Sequence, residues 1–230
     1  MLEIDKIYNM DCIEAMKLID DNSIDLVLTD PPYNVGKDFK NDKLNQKDFF
    51  YFHSKYLFEL KRITKKHHPI ILFFNNGSNL KDYLSISGSI LSYKRYITIY
   101  KPNDCSYPLM SMLRKSEACL VFTDEGSINY QSDINIHDVL VFNHVKKDKT
   151  FYHPTVKPIE AVKQLVLAFS KEGDCIFDPF MGSGTTIVAC KQLNRRFIGC
   201  DVSDKYYDIS LKRLLNVPKR LDSFGTKLTC

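Results

Sequence analysis

A chain of 230 residues, 44% apolar and 26% charged, is long enough for one full domain with a sizeable core and too ordinary in composition for a disordered one. A formal charge of +4 with a sequence pI near 8.5 permits a polyanionic partner without demanding one. Seven cysteines without any C-x-x-C pair, and no apolar run near the length of a membrane span, point to reduced thiols in a cytoplasmic protein with neither a disulfide frame, a metal site nor a membrane partner.

A single domain over 1–230 is expected. Along the chain, a helix at 13–19 is followed by a strand at 24–29, which runs into Asp30, Pro31, Pro32 and Tyr33. Two prolines forbid continuation as a helix or central strand, so the chain leaves the sheet in a rigid extended turn carrying an acid and a ring. Residues 35–47 are polar and lysine-rich, a long loop directly behind that turn. A helix at 49–63 follows, with Phe49, Phe52, Tyr56, Leu60 and Ile63 at the spacing of a buried stripe. This stripe reads as scaffold rather than as a stacking platform for bases.

Next come a strand at 70–74, a helix at 79–84, and strands at 96–100, 118–122 and 139–142. The stretch 96–142 has no convincing helix and predicts antiparallel strands, and 124–152 reads as a second irregular excursion. A helix at 159–169, a strand at 175–177, a helix at 185–193, a strand at 197–200 and a helix at 205–214 complete an α/β pattern with a mainly parallel sheet. Basic residues gather at Lys61, Arg62, Lys65 and Lys66, at Lys146, Lys147 and Lys149, and at Lys212, Arg213, Lys219 and Arg220. Each group reads either as a solvated face or as a set of phosphate contacts.

The second informative stretch begins at Cys175. A short apolar strand enters Asp178, then Gly182, Ser183 and Gly184, then two threonines open a helix. Glycines at a strand-to-helix turn let backbone approach a ligand beside free helix amides. No lysine follows Gly184, which excludes a P-loop, and Ile187 fills the place of the third dinucleotide-fingerprint glycine. Asp201 stands after the next strand, where such folds bind ribose hydroxyls. A nucleoside cofactor without a pyrophosphate is what remains.

Asp30, Pro31, Pro32 and Tyr33 resemble the catalytic motif of the DNA amino-methyltransferases, and the run from Asp178 to Thr186 resembles their S-adenosylmethionine motif. The catalytic motif precedes the cofactor motif, as in the β group of that family. His153, Pro154, Thr155, Val156, Lys157 and Pro158 are similar to that group's H-P-T-x-K-P. Asn9, Met10, Asp11 and Cys12 resemble its N-terminal motif, and Tyr100, Lys101, Pro102 and Asn103 followed by Glu117 resemble two middle motifs.

The resemblance implies a Rossmann-like S-adenosylmethionine-dependent methyltransferase fold, with helices on both faces of the sheet and the catalytic half ahead of the cofactor half. It implies a site-specific enzyme that methylates the N6 amino group of an adenine flipped out of double-stranded DNA, with N4-cytosine methylation as the alternative. A catalytically silent DNA-binding module is the reading from a different class. Asp30 and the Pro31 carbonyl would each accept an amino N–H, Pro32 would help lock that carbonyl, and Tyr33 would face the flipped ring. The cofactor would lie on Gly182, Ser183, Gly184 and Thr185, with Asp201 on the ribose, Asp11 and Cys12 near the adenine, and Phe180 as an aromatic wall. Asp178 would organise the turn or meet the cofactor's amino end, and His153 or Lys157 would approach its carboxylate. The excursions at 35–47 and about 124–152 would contact DNA, the second as a small target-recognition region. A homodimer and a restriction endonuclease of the same system are the implied protein partners.

Overall fold

The computed structural model describes residues 1–34, 44–74, 80–103, 106–109, 112–128, 134, 136–143 and 156–217. The chain runs β1 (Lys6–Asn9), α1 (Cys12–Lys17), β2 (Leu26–Thr29), α2 (Gln46–Ile63), β3 (Ile70–Phe74), α3 (Leu80–Ile90) and β4 (Ser92–Tyr100). It continues through β5 (Ser106–Leu109), β6 (Met112–Arg114), β7 (Ser116–Thr123), β8 (Val139–Val141), α4 (Ile159–Phe169), β9 (Cys175–Asp178), α5 (Thr185–Gln192), β10 (Arg196–Asp201) and α6 (Asp204–Leu215). Eight strands form one sheet in the order β1-β10-β9-β2-β3-β7-β4-β8, and β5 pairs with β6 in a separate hairpin. Among the described residues of the eight-stranded sheet, only β7 runs against its neighbours, antiparallel to both β3 and β4; the sheet's other pairings are parallel, and β5 and β6 pair antiparallel. The expected mainly parallel sheet with an antiparallel part in 96–142 is therefore found.

Central strands are apolar on both faces because both are covered. In β2, Leu26 and Leu28 face a core built with Val162, Leu165, Val166, Ile187 and Leu214 of α4, α5 and α6. Val27, between them, faces the opposite core with Ala15, Met16, Tyr56, Leu60 and Tyr83 of α1, α2 and α3. Alternation along each strand thus feeds two helical layers. The cysteines at 12, 119, 175, 190 and 200 are free and buried in these cores, where burial pushes their thiols up. Among the described residues, no group of His, Cys, Asp or Glu is placed to hold a metal, and no helix is long and apolar enough to cross a membrane.

The hairpin of β5 and β6 has no counterpart among the expected strands, and β1, α3 and α2 also differ from expectation. β1 has only four residues, half of them exposed, too little pattern to announce a strand. α3 continues to Ile90 through Ser85, Ser87, Gly88 and Ser89, residues that look like breakers, because Tyr83, Ser87 and Ile90 share a buried face. In α2 the stripe includes His53, which is fully buried, while Phe52 is only partly covered. His53 stacks 5.8 Å from Phe49 and donates to or accepts from Ser87 Oγ at 3.2 Å. Burial lowers its pKa to about 3, so it is neutral.

Candidate active site

Parallel strands direct their carboxyl ends to one edge, and β2, β9, β10 and β1 deliver Asp30, Asp178, Asp201 and Asp11 there. Pro31 is buried and Pro32 half-buried directly after β2, so the turn cannot rejoin the sheet. The Asp30 carboxylate has two partners. Lys157 Nζ lies 2.7 Å from Oδ2, and the Tyr33 hydroxyl donates to Oδ1. Tyr33 Oη also lies 2.8 Å from the Phe73 carbonyl, and its ring meets Phe74 edge-on at 5.6 Å. Burial, reinforced by Asp30, pushes the phenol well up, so it stays a donor.

Behind Asp30 stands a buried chain of charges. Lys157 Nζ is 3.4 Å from Glu117 Oε2 and 5.2 Å from the centre of the Phe73 ring. Lys101 Nζ donates to Glu117 Oε1 at 3.0 Å. Burial penalises the Lys157 charge, but Asp30 and Glu117 outweigh it and raise its pKa. Burial likewise opposes ionisation of Glu117, yet Lys157 and Lys101 hold its carboxyl down to about 2.

The glycine turn is built differently. Asp201 receives the Gly182 amide on Oδ2 and the Ser203 amide on Oδ1, both at 2.9 Å. Burial raises its pKa against these two amides. Gly184 caps α5 with φ +77°, the left-handed region, and a Cβ there would stand 2.8 Å from Ser210 Oγ. Ser210 Oγ donates to the Gly182 carbonyl at 2.6 Å. Arg213 Nη1 donates to the Ser183 carbonyl at 2.5 Å, to Ser183 Oγ at 3.0 Å and to Thr185 Oγ1 at 3.2 Å. The turn is thus held from below by a carboxylate and from behind by α6.

One contact joins the two constructions. Thr29 Oγ1, at the end of β2, donates to Asp178 Oδ1 at 2.6 Å, and the Phe180 amide reaches the same oxygen at 3.2 Å. Burial raises the Asp178 pKa to about 7 against the hydrogen bonds from Thr29, Thr186 and Phe180. Phe180 stands between Tyr56 and Phe52, at 5.3 and 6.2 Å. Asp11 caps α1, accepting the Ile13 amide at 2.9 Å, and Cys12 is buried beneath it.

The residues singled out from sequence therefore gather along one sheet edge, in two groups. Lys157 sits with Asp30 rather than at the glycine turn. His153 lies outside the described residues, as do 35–43 of the first excursion and most of the second. Asn34 pairs with Leu44 on both sides of its amide, at 2.9 and 2.8 Å, joining the chain on either side of 35–43. Sequence pattern alone does not mark Lys101, Thr29, Ser210, Arg213 or Glu117 as site residues, although Lys101 and Glu117 stand in motif-like stretches.

Residues 24–212 match the profile of the DNA methylases that act on N6 and N4 amino groups. The chain belongs to the DNA methylase family. As a DNA amino-methyltransferase it is 32% identical to the type II methyltransferase M.HpaI of Haemophilus parainfluenzae over 94% of this chain and 76% of that one. Its fold is shared with the PvuII DNA methyltransferase, described as cytosine-N4-specific, at a TM-score of 0.75 and 15% identity over 92% of this chain and 86% of the other. It is also shared with M1.HpyAVI solved with S-adenosylmethionine, at a TM-score of 0.68 and 20% identity over 91% and 98%. The Rossmann-like methyltransferase fold is thus the fold of this DNA methylase.

The arrangement at the glycine turn fits a nucleoside-type methyl donor. A carboxylate has about four acceptor positions, and the two amides on Asp201 take one on each oxygen, leaving acceptor capacity suited to hydroxyls. Gly182, Ser183, Gly184, Thr185, Asp201 and Asp11 are the residues that would hold it.

Proposed function

We propose that this DNA methylase is a site-specific adenine-N6 methyltransferase that uses S-adenosylmethionine and acts on a base flipped out of double-stranded DNA. The carrying observation is the Asp30 carboxylate, held at the end of β2 by Lys157 and Tyr33 and linked to the glycine turn through Thr29 and Asp178. An exocyclic amino nitrogen is a poor nucleophile because its lone pair is delocalised into the ring. Asp30 and the Pro31 carbonyl accept its two hydrogens and favour a pyramidal nitrogen whose lone pair points out of the ring plane. The prolines set this acceptor pair before substrate arrives. S-adenosylmethionine supplies a methyl group on a positively charged sulfur, already activated for displacement. No covalent enzyme intermediate is needed, in keeping with the absence of any cysteine after a proline.

The alternative is N4-cytosine methylation, which needs the same acceptors. Enzymes of that kind more often carry serine where this chain has Asp30, which supports adenine. We place the whole activity in one domain over 1–230 of a cytoplasmic protein, with DNA contacts from 35–47 and about 124–152. A homodimer and a cognate endonuclease are the protein partners that accompany this reading.

The test is to incubate the protein with tritiated S-adenosylmethionine and unmethylated DNA, digest, and identify the labelled nucleoside. N6-methyladenine is expected; N4-methylcytosine would transfer the reading to the alternative. Asp30→Ala is expected to keep cofactor binding while losing transfer by about 100- to 1,000-fold, the scale for removing a charge-stabilising group at a reacting centre. An active Asp30→Ala protein would sink the assignment.

A further inference from the structure

We propose that Glu117 is a positioning residue for Asp30, acting through Lys157, whose ammonium changes carboxylate partner when the amino group of the target base arrives. The inference rests on the reading of Asp30 as an acceptor of the amino hydrogens. In this structure both Asp30 oxygens are engaged, Oδ2 by Lys157 at 2.7 Å and Oδ1 by the Tyr33 hydroxyl. An ammonium at that distance draws electron density from the carboxylate and weakens it as an acceptor. Asp30 keeps free acceptor positions for an amino hydrogen, and a looser hold by the ammonium makes it the stronger acceptor. Lys157 is nearly buried, with a side-chain exposure of 13%, and a buried ammonium cannot be left unpaired.

Glu117 Oε2 meets that need. It is buried and, beyond Lys157 at 3.4 Å, has no hydrogen-bond partner among the described residues. Its other oxygen is occupied by Lys101 at 3.0 Å. An ammonium–carboxylate bond is about 2.7–2.9 Å long, so a shift of under about 1 Å turns the loose contact into a full ion pair. Two lysines and two carboxylates keep the cluster neutral throughout. Burial opposes ionisation, but the charges of Lys157 and Lys101 outweigh it and leave Glu117 ionised, so the second seat for the ammonium is always charged. β7 holds Glu117 opposite Ile99 of β4, next to the end of that strand, where Lys101 follows. The seat therefore does not move with the substrate.

The experiment measures single-turnover methyl transfer by the full chain to unmethylated bacterial genomic DNA, with Glu117→Gln, Glu117→Ala, Glu117→Asp and Asp30→Ala beside the wild type. Glu117→Gln keeps the shape and removes the charge, so Lys157 stays on Asp30. The transfer rate is expected to fall by about tenfold or more, with KM for DNA and for S-adenosylmethionine within about twofold. Glu117→Asp keeps the charge on a shorter arm and is expected to fall between the two. A structural role alone would lower the melting temperature and the yield of active protein in proportion, without this split between rate and KM. Wild-type rates in Glu117→Gln, or in Glu117→Ala should the glutamine variant not fold, overturn the inference. An inactive Asp30→Ala alongside a fully active Glu117→Gln removes only this inference; an active Asp30→Ala removes the role of Asp30 itself.

Discussion

The two halves of the site are held by different forces. Around Asp30 a series of side-chain ions, Asp30, Lys157, Glu117 and Lys101, links each to the next at 2.7 to 3.4 Å, with the neutral Tyr33 hydroxyl on the other Asp30 oxygen. Around the glycine turn the partners are mostly backbone groups: amides on Asp201, and carbonyls of Gly182 and Ser183 on Ser210 and Arg213. Backbone hydrogen bonds fix geometry, because moving one moves an element. Ion pairs between long side chains can exchange partners at small displacement. On the proposed reading, the half that cradles the cofactor is served by backbone hydrogen bonds, and the half that yields to an incoming amino group by exchangeable ion pairs.

Asp178 lies where the halves meet, and breaking the comparison there carries the largest expected effect. Its native pKa of about 7 stands above the unfolded value of about 3.9, so the folded state binds the extra proton between these values. Native stability from this group is fully present below about pH 4 and is lost as pH rises to about 7, at up to about 1.4 kcal/mol per pH unit. Asp178→Asn cannot ionise and still offers an oxygen to Thr29 and the Phe180 amide. Relative to wild type, its stability in denaturant melts is expected to improve as pH rises from 4 to 7, by a few kcal/mol in total, and to change little above about pH 8. A difference that is flat over that range would mean that Asp178 is ionised in the folded protein and that the joint between the halves is itself ionic.

The backbone-held half has a sharper point of failure at Gly184. Alanine there would keep φ +77° at a cost of about 1 kcal/mol or more. Its Cβ would also stand 2.8 Å from Ser210 Oγ and displace the bond from Ser210 to the Gly182 carbonyl, worth about 1 kcal/mol. Gly184→Ala is expected to lose roughly 2–3 kcal/mol of stability in urea melts and most of its S-adenosylmethionine binding. Ordinary stability with tight binding would show that this turn adapts and that the contrast between the halves is overdrawn.

The same contrast explains what could be read from sequence. Prolines after β2 and glycines before α5 leave marks because backbone conformation restricts residue type. The ionic half left weaker marks. Lys101, Glu117 and Lys157 come from the end of β4, from β7 and from the approach to α4, and meet because β7 folds back antiparallel between β3 and β4. Lys157 was expected near the cofactor's carboxylate, since a motif gives a residue's place in the chain and not its ion partner. His53 escaped the helical stripe because a periodicity argument counts apolar types, and only the Ser87 hydroxyl and the surrounding rings make its burial tolerable. Arg213 was legible only as a member of a basic cluster, whereas its guanidinium points at the glycine turn.

That arginine supplies the mildest test. It is the cationic brace of the turn, donating to the Ser183 carbonyl, Ser183 Oγ and Thr185 Oγ1 from one nitrogen. Its removal leaves the Asp201 and Ser210 contacts in place, so the turn loosens without collapsing. A hydrogen bond from a charged donor contributes about 1.5–3 kcal/mol, discounted here because Arg213 is only half-buried. Arg213→Ala is expected to weaken S-adenosylmethionine binding by roughly tenfold in calorimetry, about 1.4 kcal/mol. The transfer rate at saturating cofactor should stay within about twofold, since Asp30 and its ion partners lie in the other half. A matching loss of transfer rate would mean that the turn and the ionic cluster move together, and the two halves would then have to be treated as one.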